Sequence, residues 1–115
     1  MLVSKKIAAF VVLMAATLLF TACPSQTSIG KINANPDRYR GKEIGIAGRV
    51  TDSYGAMGVG AYEIDDGTGR IWVATKQGVP SRGSRVGAKG YLHNGFSFNG
   101  RSYGTVVEET DRRSR

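Results

Sequence analysis

Tyr62-Glu63-Ile64-Asp65-Asp66-Gly67-Thr68-Gly69-Arg70-Ile71-Trp72-Val73 is the stretch on which the fold turns. Asp66-Gly67, followed by a second glycine at 69, is a tight-turn signal, because glycine takes a positive φ without steric cost. On either side of it, apolar and polar residues alternate, the period of a half-buried strand. The segment therefore predicts a hairpin, with one strand over 61–65 and the next over 70–76. Ile71 and Val73 fall on one side, Trp72 and Lys76 on the other.

Outward from that hairpin the same period continues. Ile44, Ile46, Gly48 and Val50 alternate with Gly45, Ala47 and Arg49, which predicts a first strand over 42–51. Gly45 and Gly48 inside it imply a bulge or strong coiling. Residues 52–60 and 77–84 read as Gly-rich loops. A fourth strand is expected over 85–92, a turn near 93–95, and another at Asn99-Gly100. A fifth strand is expected over 103–109, leaving 110–115 as a flexible charged tail. Ile29 and Ile32, three apart, suggest one helical turn, ended by Asn35-Pro36.

Five short strands without a long amphipathic helix predict an all-β fold, a small five-stranded Greek-key barrel. Closure removes the exposed edges that an open sheet would carry. The quoted hairpin, with Gly41–Val50 before it and Gly83–Tyr91 after it, resembles OB-fold domains of the tRNA-anticodon-binding-like class, to which a bacterial OB-fold family also belongs. The resemblance covers roughly 41–109. It implies a binding module, since such barrels hold nucleic acids, sugars, small ligands or proteins on a common scaffold. One departure is that 77–84 is too short and too rich in Gly and Pro for the helix many members carry between strands three and four. The segment 29–39 is then the candidate plug for the open barrel end.

The N-terminal residues carry a different message. Lys5 and Lys6 precede an uncharged run, Ile7 to Phe20, that spans about 21 Å as a helix, short of a bilayer core. That is a signal-peptide pattern. Leu19-Phe20-Thr21-Ala22-Cys23 resembles the bacterial lipobox, although Phe20 stands where leucine is usual. The resemblance implies a signal peptide over 1–22, lipidation at Cys23, a tether over 23–28 and a barrel domain over 29–109. The protein would then be anchored by lipid to a membrane on its periplasmic or other extracytoplasmic face.

Composition limits the chemistry. The 115 residues hold one Cys and one His, which excludes a disulfide framework and a multi-cysteine metal site. The formal charge is +7, yet Lys5, Lys6, Arg112, Arg113 and Arg115 lie outside 29–109, where 11 basic residues face 8 acidic ones. That is no strong nucleic-acid footprint. His93 reads as a turn residue. Glu63, Asp65 and Asp66 read as turn chemistry rather than a calcium site.

No metal, cofactor or catalytic constellation is expected, and an enzyme is the least favoured class. Arg49, Tyr62, Trp72, Lys76, Lys89 and Tyr91 are the candidate ligand-binding residues, on an outer face able to stack a ring beside cations. The plainer alternative makes Trp72 a core anchor and the cations a solvated rim. The expected partner is a protein or another envelope component. The alternative is an oligonucleotide or oligosaccharide.

Overall fold

The computed structural model describes residues 26–98 and 100–114. The expected signal peptide and Cys23 lie outside the described residues. A short helix, α1 (Ile29–Ala34), begins at Ser28, whose hydroxyl accepts from the Lys31 amide, and a 3₁₀ turn follows at Pro36–Tyr39. Then come β1 (Ile44–Ala56), β2 (Val59–Asp65), β3 (Arg70–Thr75), β4 (Arg85–Phe98) and β5 (Arg101–Ser114). They close into a barrel in the order β1-β2-β3-β5-β4. The β3–β5 pair is parallel and the other pairs are antiparallel. This is the all-β, five-stranded barrel that the alternation predicted.

The interior takes the alternating apolar positions of β1 and β3 as expected, and it takes Tyr62 as well, a residue expected on the outer face. Ile44, Ile46 and Val50 of β1 meet Tyr62 and Ile64 of β2, Ile71 and Val73 of β3, Val86 of β4 and Val107 of β5. Ile29 and Ile32 of α1 are fully buried against them, so α1 covers the barrel end left open by the short β3–β4 connection.

α1 is also tied down electrostatically. Asp66 Oδ2 accepts the Ile29 amide at 2.9 Å, while Oδ1 accepts from the Thr68 amide, the Thr68 hydroxyl and the Gly69 amide. Burial pushes the Asp66 carboxyl up, but these bonds outweigh it and hold the group below its ordinary value. A lowered carboxylate contributes stability above its unfolded value of 3.8 and loses it as pH falls through the folded value. Asp66→Asn is thus expected to lower the melting temperature by several degrees at neutral pH. The deficit should shrink as pH falls below 3.8 and through the lowered folded value, and melts from neutral to acid pH check it. An equal deficit throughout would refute the role of the charge.

Three boundaries differ from the sequence reading. Residues 52–56 and 59–60 are strand, not loop. A bulge between Val50 and Asp52 bends β1 from its pairing with β4 onto β2, and the hairpin turns on Met57 and Gly58 alone, both at positive φ (56° and 79°). β4 continues past the expected turn to Phe98, because register shifts between His93 and Ser97 absorb Asn94-Gly95. Residues 110–114 are not a loose tail. They pair with β4 through Arg113↔Gly87 and Ser114↔Val86, since closing the barrel beside the long β4 requires a strand there.

Candidate binding face

Barrel alternation sends Asp52 and Tyr54 of β1, Val59 and Glu63 of β2, and Trp72 and Ala74 of β3 to the outer face, with Lys76 just past the end of β3. The indole of half-buried Trp72 stacks on Tyr54 at 5.8 Å between centroids and meets Tyr103 edge-on at 4.7 Å. Offset and edge-on pairs at these distances add roughly 1 kcal/mol beyond burial, so the three rings form a fixed ledge.

The ledge is held by charge. The Tyr54 hydroxyl donates to Asp52 Oδ2 at 2.9 Å, and Arg82 from the β3–β4 connection pairs with Asp52 Oδ1. The slight burial of Asp52 raises its carboxyl, but bonds from Tyr54 and the Ser53 amide, with Arg82, win and leave it below its ordinary value. Glu63 accepts from the Thr51 hydroxyl at 2.7 Å and lies 3.9 Å from Arg70. Among the described residues, the carboxylates flanking the rings are each paired with an arginine, Asp52 with Arg82 and Glu63 with Arg70.

Beside the ledge runs a groove of about 480 Å³, with Ala74 and Val106 in its floor and Val59, Lys76, His93 and Glu108 around it. The β1–β2 hairpin projects at its end. Met57 at the tip is fully exposed, Val59 is 42% exposed and Tyr54 is 37% exposed. Of the four large hydrophobic residues that are exposed among the described residues, three belong to this hairpin and the fourth is Tyr91.

The predicted site residues are dispersed. Trp72 and Lys76 share the outer face as expected, Trp72 in the ledge and Lys76 at the groove. Tyr62 does not belong there: it is fully buried, because its position on β2 alternates inward, and its hydroxyl bonds Glu109 inside the barrel. Arg49 faces a separate cleft between β1 and β4, and Lys89 and Tyr91 lie on β4, with β5 between them and Trp72. Reading the sequence placed Tyr54 in a loop, took His93 as a turn residue and gave Tyr103 no role. Tyr54 was concealed inside a supposed loop, although its two-residue spacing from Asp52 was a strand signal. Among the described residues no group of three or more His, Cys, Asp or Glu could hold a metal ion, and no helix is long and apolar enough to cross a membrane.

No protein-family model and no curated protein matches the sequence. Solved structures do match in fold. An OBody bound to hen egg-white lysozyme is similar over 79% of this chain and 95% of its own, with a TM-score of 0.58 and 18% identity. A protein described as an aspartyl-tRNA synthetase from Leishmania major Friedlin matches over 82% of this chain at a TM-score of 0.59 and 15% identity, and this chain spans only 21% of it. At such identities the likeness establishes the fold: a five-stranded closed barrel that fits an OB fold.

Proposed function

We propose that the chain is a non-catalytic binding module of the bacterial cell envelope, anchored by lipid at Cys23, that grips a protein partner with the β1–β2 hairpin, the aromatic ledge and the groove between them. The observation that carries the reading is the hairpin. Three exposed apolar side chains concentrated at one end of a barrel mark an interaction site rather than scattered surface residues. Met57 adds a second sign. A non-glycine residue at φ 56° costs roughly 1 kcal/mol, in a turn that Asn or Gly fits better, and a fully exposed side chain returns nothing to the fold. Its thioether is adaptable enough to pack against an irregular partner. The paired charges at the ledge favour this reading over a polyanion such as an oligonucleotide.

The test is a photo-crosslinker at Val59 in living cells, with the mass of the N-terminus measured on membrane-extracted protein. Expected are a diacylglycerol-bearing Cys23, release or accumulation of unprocessed precursor for Cys23→Ser, and a discrete protein adduct at position 59. Met57→Asn should lose that adduct while melting no lower than the parent. A free thiol at Cys23 would remove the anchor. Saturable, salt-weakened quenching of Trp72 by single-stranded oligonucleotide, without a protein adduct, would replace the partner with nucleic acid.

A further inference from the structure

The opposite side of the barrel carries an arrangement the binding face does not use. Arg49 of β1 and Arg85 of β4 stand directly across from each other in the antiparallel ladder, both exposed. Like charges in directly opposed positions destabilise a sheet. Neither guanidinium has an ion-pair partner among the described residues. Asp65 and Asp66 share the cleft of about 490 Å³ beside Arg49 and Arg85, yet both carboxylates are engaged elsewhere. Asp65 binds Arg70 at 3.1 Å and the Gly67 amide at 2.8 Å, and Asp66 holds α1 and the turn.

The same outer face continues with Lys89 and with Arg113, which is paired across from Gly87. The acidic residues along it are Asp111, opposite Lys89, Asp65, opposite Arg49 and held by Arg70, and Glu43, whose carboxylate accepts from the Thr110 hydroxyl. Gly45, Ala47 and Gly87 form its floor, so nothing tall separates the cations from a flat surface. The cleft also includes Gln26, and the Thr27 amide bonds the Gly45 carbonyl at 2.8 Å, which lays the entering chain along β1. Cys23 is three residues from Gln26, a reach of at most about 11 Å.

The geometry points to a docking surface for anionic phospholipid headgroups: Arg49, Arg85, Lys89 and Arg113 rest on the membrane that the Cys23 lipid enters. This rests on the anchoring reading for its proximity, but the charge pattern stands independently. It also sets the orientation. The tether meets β1 at Gly45, and the hairpin lies eleven residues along the same strand, up to about 36 Å away. Headgroups would hold the Gly45 end down and present Met57 outward.

The test uses the full chain carrying Ala47→Cys, incorporated in vesicles of phosphatidylcholine alone or with phosphatidylglycerol. An environment-sensitive dye sits at position 47, and headgroup-labelled lipid serves as quencher. Expected is quenching only with phosphatidylglycerol, reversed by salt, and absent for a dye at Met57→Cys. The contact should weaken about fivefold for each arginine removed in Arg49→Ser and Arg85→Ser. Equal quenching in both lipids, or an Arg49→Ser/Arg85→Ser double variant that behaves as the parent, overturns the proposal. So does a dye response to soluble oligonucleotide without a response to phosphatidylglycerol. The mass at Cys23 separates the two ideas: an unacylated chain that still floats with phosphatidylglycerol vesicles refutes the anchor and keeps the surface.

Discussion

Gly48→Ala and Gly90→Ala are each expected to lower the melting temperature by about 15 °C, a loss of about 3 kcal/mol from overpacking against backbone. A Cβ at Gly48 would lie 2.9 Å from Ile64 Cγ2 and would collide outright with the Asp65 carbonyl. At Gly90 the added carbon would meet the Glu108 carbonyl and stand 2.9 Å from Val107 Cγ1. Backbone atoms have no rotamer to escape into. Both glycines sit where a strand changes partner or register: β1 passes from β4 to β2 at Arg49, and β4 shifts against β5 between Lys89 and Gly90. Close strand crossings at these corners are what bend one sheet into a closed barrel. Gly41 is the control. Its φ is +75° with nothing near the missing Cβ, so Gly41→Ala carries only conformational strain of about 1 kcal/mol. A thermal melt of Gly48→Ala within a few degrees of that control would refute the account.

These corners also explain what could be read in advance. Alternation identified the inward residues of β1 and β3 because a side chain's face depends only on its parity along the strand. Asp66-Gly67 identified the hairpin because its chemistry is local. The endings of β1, β4 and β5 were different. Tyr54 stays in a strand because it pairs with Ala61 across the hairpin, Asn94-Gly95 because the β4–β5 ladder resumes beyond them, and Arg112 because it pairs with Ala88, 24 residues away. Glycine inside such a strand looks like a loop until its partner is known. The aromatic ledge was hidden for the same reason. Trp72 was visible, but Tyr54 and Tyr103 reach it only after β1 bends at its bulge and β5 crosses beside β3. Tyr62, a candidate for the outer face, turns inward instead, where its hydroxyl meets Glu109, 47 residues away.

That acceptor gives the second large effect. Arg112→Met is expected to cost about 3 kcal/mol, a fall of roughly 15 °C in melting temperature, although position 112 lies in a stretch that composition alone would leave loose. The Glu109 side chain is 1% exposed. One oxygen accepts from the Tyr62 hydroxyl at 3.2 Å and from Arg112 at 3.4 Å, and the other has no partner. Arg112 also donates to the Gly78 carbonyl at 2.8 Å and lies over the Tyr62 ring at 5.4 Å, so it fastens β5, the β3–β4 connection and the core together. Burial, with the Glu109 charge beside it, pushes the Tyr62 phenol far above its ordinary value, so the phenol stays a donor throughout the usable pH range. Removing the guanidinium leaves a buried carboxylate supported by one phenol. If that uncompensated charge is the source of the loss, Glu109→Gln should return part of it in the Arg112→Met background, because a neutral amide is far cheaper to bury. Calorimetric melts of the single and double variants decide the matter. A double variant less stable than Arg112→Met would mean that packing of the arginine stem, and not its charge, holds the end of β5 in place.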